Sequence, residues 1–204
     1  MMTIEVKFRI PDPGTFWLLQ TIDRLGPYSL SEPQFEDIDD VFLDTRRRKL
    51  QTADYCCRQR NLAKGFLISL VELESKSRRT QQAKKWEVSL KRNTNDPSDW
   101  PKSQVRKRVL KIIADKKLHP IFTLHQTRIT RLISDADQVI AEATLDDVSL
   151  IVKGENQQFK TLKITTVVSD DDLLEAISAS LQEKWQLETE PRTKFEQVLA
   201  LENY

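Results

Sequence analysis

Glycine, cysteine and histidine are all scarce in this 204-residue chain, at four, two and two copies. Each shortage removes a class of chemistry. A phosphate-cradling backbone loop needs glycines that let bare peptide N–H groups approach the ligand, and four glycines among many long charged side chains argue against one. Phosphate chemistry here must come from side chains. Cys56 and Cys57 are neighbours, so on a strand they point to opposite faces and cannot close a normal disulfide with each other. His119 and His125, without C-x-x-C spacing or an acidic or cysteine neighbour in sequence, make no zinc or catalytic site. No stretch approaches the roughly 18 apolar residues of a membrane helix, and the N-terminus has no signal-peptide core. The protein is therefore expected to be cytoplasmic, away from membranes. An excess of either charge is also missing, with 32 Lys and Arg against 31 Asp and Glu. No global field draws the chain to nucleic acid, none is expected as a partner, and any anion site has to be local.

The remaining composition is globular: 39% hydrophobic and 31% charged residues, with aromatic and β-branched side chains spread along the chain. A single domain, 1–204, is expected. Residues 3–10 alternate strictly, with Ile4, Val6, Phe8 and Ile10 on one face and Thr3, Glu5, Lys7 and Arg9 on the other. Further strands are predicted over 35–43, 55–61, 66–73, 85–92, 121–134, 138–152 and 159–168. Helices are predicted over 15–25, stopped by Gly26, and over 102–115, 171–186 and 193–201. The fold class is α+β, strand-rich with flanking helices. Between residues 62 and 84 the pattern is weakest; 66–73 is expected to be a strand and the basic stretch 75–84 a solvated hairpin tip. The four tryptophans are read as packing residues.

Several strands repeat the first strand's pattern, with charges two residues apart on one face. Arg58 and Arg60 share a face. Trp86, Val88 and Leu90 are apolar, which turns Glu87, Ser89 and Lys91 the other way. Arg128 sits beside Thr130, and Glu142, Thr144 and Asp146 share a face on the following strand. An antiparallel sheet with one wet face explains each strand separately. A closed antiparallel barrel with a polar interior explains them together, and an Arg-x-Arg pair suits bidentate phosphate binding.

In order along the chain, Thr3-Ile4-Glu5-Val6-Lys7, Val41-Phe42-Leu43-Asp44-Thr45, Cys57-Arg58-Gln59-Arg60, the strand Trp86 to Lys91, Phe122 to Arg128, Glu142 to Asp146 and Thr193-Lys194-Phe195-Glu196 resemble the motifs of the CYTH domains, or triphosphate tunnel metalloenzymes. The resemblance covers about 190 residues. It implies a closed barrel of about eight antiparallel strands around a polar tunnel, and a triphosphate or polyphosphate ligand. Members hydrolyse inorganic, nucleoside or thiamine triphosphates, or cyclise ATP. By the same resemblance Lys7, Arg58, Arg60, Lys91, Arg128 and Lys194 would bind phosphate oxygens, Glu5 and Lys7 would be catalytic, and Glu5, Glu142 and Asp146 would hold Mg²⁺ or Mn²⁺. A helical CHAD domain is a possible partner in a longer chain.

Two positions depart from the family pattern. Thr3 replaces the first motif glutamate, and Thr161-Leu162-Lys163-Ile164-Thr165 stands where a Glu-x-Glu strand is expected, with no acid between Gln157 and Val168. Threonine is a poor Mg²⁺ ligand and lysine repels the ion. The expectation is thus a divergent member that binds the anion with catalysis weakened or lost, Lys163 taking over part of the metal's charge neutralisation. The alternative is a metal-dependent hydrolase of inorganic or organic triphosphate.

Overall fold

A computed structural model describes residues 4–73, 84–167 and 171–202. Thr3 and, apart from Lys84, the expected hairpin tip at 75–84 lie outside the described residues. The chain divides into two compact units: Met1–Asp37, Gln126–Ser149 and Glu155–Tyr204 form the first, and Ile38–His125 with Leu150–Gly154 the second.

In the first unit, β1 (Glu5–Ile10) buries Phe8 and Ile10, the apolar face its alternation predicted. The helix expected over 15–25 instead spans Pro13–Thr21 (α1). Asp12 caps it, accepting the Thr15 N–H at 2.9 Å, and Pro13 occupies the first turn, where its missing N–H costs nothing. Leu25, assigned to that helix from its spacing, belongs to β2 (Arg24–Leu25), which pairs with β3 (Tyr28–Leu30). Gly26 does not stop a helix; it turns this hairpin at φ +61°. Three long strands, β4 (Gln34–Asp44), β8 (His119–Asp135) and β9 (Gln138–Val152), contribute residues to both units.

The second unit contains α2 (Lys49–Thr52), β5 (Tyr55–Leu62), β6 (Gly65–Glu72), β7 (Lys85–Leu90) and α3 (Gln104–Ile113). Segment 66–73, the weakest sequence assignment, is the strand β6, paired antiparallel to β5 on one side and β7 on the other. Gly65 makes its entry turn possible, because at φ +105° a Cβ would run into the Leu90 carbonyl oxygen. Helix α3 presents Val105, Val109 and Ile113, spaced four apart, to a core with Leu43, Leu50, Ile68, Leu70 and Trp100. Trp100 is fully buried and its indole N–H donates to the Thr94 carbonyl at 3.0 Å.

The first unit continues with β10 (Glu155–Thr166), α4 (Asp171–Trp185), β11 (Glu188–Thr189) and α5 (Lys194–Glu202). Leu174, Ile177 and Leu181 of α4 lie on one helical face and pack with Phe8, Leu145, Leu162 and Ile164. Each such burial contributes about 1.5–3 kcal/mol.

The first unit orders its strands β11-β1-β10-β9-β8, and the second β4-β5-β6-β7. The sheets are mostly antiparallel with flanking helices, an α+β arrangement. Neither order returns to its first strand among the described residues. The antiparallel, strand-rich part of the expectation is what these pairings form, and they do not by themselves close the barrel that the resemblance implies. On β1 the edge away from β10 is occupied by the short strand β11.

Candidate anion-binding site

Pleating decides which charges meet on β1 and β10. Their register pairs Glu5 with Thr165, Lys7 with Lys163 and Arg9 with Thr161, while Phe8 and Leu162 turn to the core. Lys163 therefore stands on the same face as Lys7. Glu5 lies between the two amines, its Oε1 3.1 Å from Lys7 Nζ and its Oε2 3.6 Å from Lys163 Nζ. Burial raises the Glu5 pKa, but the two lysine charges outweigh it and hold the carboxyl below its ordinary range.

A second group in the same unit gathers on Asp146, which is almost fully buried. Arg128 donates to it through Nε at 2.7 Å and Nη2 at 3.1 Å, and Lys194 Nζ, at the start of α5, donates at 2.6 Å. Lys194 also donates to Gln126 Oε1. Burial again opposes ionisation, and the charges of Lys194 and Arg128 overcome it, so the Asp146 pKa is lowered. On the opposite face of β8, Arg131 is buried and donates to the carbonyls of Ser31, Gln20 and Ile22 at 2.6, 2.9 and 2.6 Å. Its role is to tie the end of α1 and the segment after it to β8.

In the second unit Arg58 and Arg60 share a face, as their spacing predicted, and converge on Asp40. Asp40 pairs in register with Arg60 and accepts a bidentate pair of hydrogen bonds from it, both 2.8 Å, plus one from Arg58 Nη1 at 3.3 Å. Arg58 also reaches Ser69 Oγ at 3.4 Å, and that hydroxyl donates to Glu87 at 2.7 Å. Burial lowers the Arg58 pKa despite Asp40. Its Nε is buried with no hydrogen-bond partner among the described residues. Lys91 is exposed in a bend just past the end of β7, not on the strand.

The expected metal set is not brought together. Glu142 and Asp146 share a face of one strand but stand four residues apart, about 13 Å along it, whereas Mg²⁺ holds its oxygens at about 2.1 Å. Both Asp146 oxygens already accept from cations, both Glu5 oxygens lie beside lysines, and Glu142 accepts the Thr144 hydroxyl at 3.3 Å. No group of three or more His, Cys, Asp or Glu arranged to hold a metal ion occurs among the described residues. These residues do not fit a divalent ion in this arrangement.

Asp40, Gln126 and Ser69 complete the cation sets and were not singled out in the sequence. Asp40 lies in an acidic run, Glu36-Asp37-Ile38-Asp39-Asp40, and only the register with β5 selects it. His125 has an acidic neighbour after all, with Nδ1 2.7 Å from Asp39 Oδ1, both exposed. Among the described residues no helix is long and apolar enough to cross a membrane.

A family model described as the CYTH domain matches residues 1–198. No curated protein matches. Among solved structures the chain is similar to HpAC1 of Hippeastrum, described as a proposed adenylyl cyclase with a dominant triphosphatase activity, at a TM-score of 0.68 and 16% identity over 96% of this chain and 94% of that one. It is also similar to a proposed adenylate cyclase of Bacillus halodurans, at 0.61 and 15% over 97% and 98%. A third, from Vibrio parahaemolyticus, gives 0.52 and 14% over 96% and 97%. At these identities the likeness is one of fold.

Proposed function

The chain belongs to the CYTH domain family, and on that premise we propose that it binds triphosphate- or polyphosphate-type anions through Lys and Arg side chains, with metal-dependent catalysis weakened or lost. The observation that carries this reading is the pairing of Lys7 with Lys163 in register, with one carboxylate, Glu5, between two amines. A multiply charged phosphate chain removes the repulsion that this arrangement leaves. Lys163 stands where the family expectation has a metal-binding acid, so a fixed ammonium supplies charge that an ion would otherwise bring. Arg58, Arg60, Arg128 and Lys194 are donors of the same kind, each set held by a buried aspartate until an anion competes for it. Lys91, in its exposed bend, is a further cation of the proposed phosphate-binding set.

The family match runs through both compact units, in keeping with one functional domain over 1–204. The closed barrel with a polar interior, the cytoplasmic location, the absence of nucleic-acid partners and a CHAD-type partner domain belong to the same reading. A second reading, hydrolysis of inorganic or organic triphosphate with Mg²⁺ or Mn²⁺, is favoured by the triphosphatase activity named for HpAC1.

Calorimetric titration with inorganic triphosphate, with and without Mg²⁺ or Mn²⁺, separates the two when phosphate release is assayed on the same samples. Binding without metal, no release, and loss of binding in Lys163→Glu are expected. Metal-dependent release that disappears in Glu5→Gln would make the protein a hydrolase. Absence of binding under both conditions would overturn the anion site.

A further inference from the structure

Tyr55 opens β5 and, with Cys57 and Gln59, points away from the face that carries Arg58 and Arg60. On its side of the sheet lies a cavity of about 570 Å³ whose walls include Arg47, Lys49, Arg108, Lys111, Tyr55 and Ile112. That volume suits a small molecule. Among the described residues four of those lining it are cations and none is a carboxylate. Asp115, which feels the charge of Lys49, is itself engaged by Lys116 at 2.8 Å.

The four cations differ in how they are held. Lys49 Nζ donates to the Ile113 carbonyl at 3.2 Å, at the C-terminal end of α3, where a cation is favoured. The Arg108 guanidinium lies 4.0 Å from the centroid of the Trp86 ring, a contact that fixes it without neutralising it. Its Nε is buried and has no hydrogen-bond partner among the described residues. Arg47 and Lys111 are exposed. A folded chain that gathers four like charges around one cavity is stabilised by any anion that enters it. The Tyr55 ring and the Ile112 side chain give that anion an apolar wall, which an inorganic ion would leave unused.

We propose that this cavity is a second anion site, on the opposite face of β5 from Arg58 and Arg60, for an organic phosphate. Arg47, Arg108 and Lys111 hold the phosphate, and Tyr55 and Ile112 pack against the organic body. The assignment is independent of the strand-face reading above.

The test is calorimetric titration of the full chain with AMP and, separately, with inorganic phosphate, which share a headgroup and differ in the attached body. AMP is expected to bind one site, more tightly than phosphate. Arg47→Glu combined with Lys111→Glu should weaken AMP by at least about tenfold while leaving the titration with inorganic triphosphate unchanged. Both positions are exposed, and the milder pair Arg47→Gln with Lys111→Gln should move AMP binding the same way by less. No AMP binding, or equal AMP affinity in parent and variants, would overturn the site. Phosphate binding as tightly as AMP, with the same dependence on Arg47 and Lys111, would overturn its assignment to an organic ligand.

Discussion

Lys7 and Lys163 face each other across the β1–β10 register, and Glu5 lies beside both, at 3.1 and 3.6 Å. Like charges directly opposite on a sheet destabilise it. Removing the Glu5 charge should therefore lower the melting temperature of the free protein and tighten metal-free triphosphate binding by a few-fold, because the carboxylate no longer competes for the two amines. Calorimetry and thermal unfolding of Glu5→Gln measure both. Weaker binding in the variant would mean that Glu5 supports the ligand rather than opposing it.

Asp40 is buried beneath two arginines that keep partial solvent access. Asp40→Ala removes the carboxylate that both guanidinium groups share and should destabilise the fold by about 2–3 kcal/mol, less than the about 3–5 kcal/mol of a fully buried pair. Urea unfolding gives the difference. Saturating triphosphate should recover part of it, since the anion replaces the lost charge.

Asp146 titrates below its ordinary value of 3.8 in the folded protein. A carboxylate whose pKa is depressed by folding stabilises the fold above its unfolded pKa, and that contribution is lost as pH falls through the folded one. The stability gap between the protein and Asp146→Asn should thus be full near about pH 6 and shrink on acidification below about pH 4. Unfolding curves across that range check the sign; a gap that widens on acidification would contradict it.

Cys57 is completely buried, and burial followed by the Asp44 charge pushes its thiol up to about 12. Cys56 is buried as well. Thiolate is the reactive form. Ellman's reagent should label neither cysteine in the native protein at neutral pH and both in urea, and fast native labelling would place a thiol at the surface.

Alternation made much of the fold legible. The face of β1, the shared face of Arg58 and Arg60, and the common face of Glu142, Thr144 and Asp146 all follow from a side-chain period of two, which is a property of the strand itself. The end of α1 was not legible, because Leu25 continues a helical spacing that the Arg24–Leu25 and Tyr28–Leu30 pairing overrides. Lys91 fell off its strand for a related reason: the pattern predicts a face but not where pairing stops.

By itself the sequence determined that the protein is strand-rich, that its charges are ordered by face, and that phosphate chemistry, where present, comes from long cationic side chains. Only tertiary structure decided which charges meet. Lys163 joins Lys7 rather than an outer surface, Asp40 rather than its acidic neighbours clamps the arginines, and Glu142 stands too far along β9 from Asp146 to share an ion. The reason is physical: periodicity within a strand is local, whereas register between strands far apart in sequence is set by the packing of both faces at once.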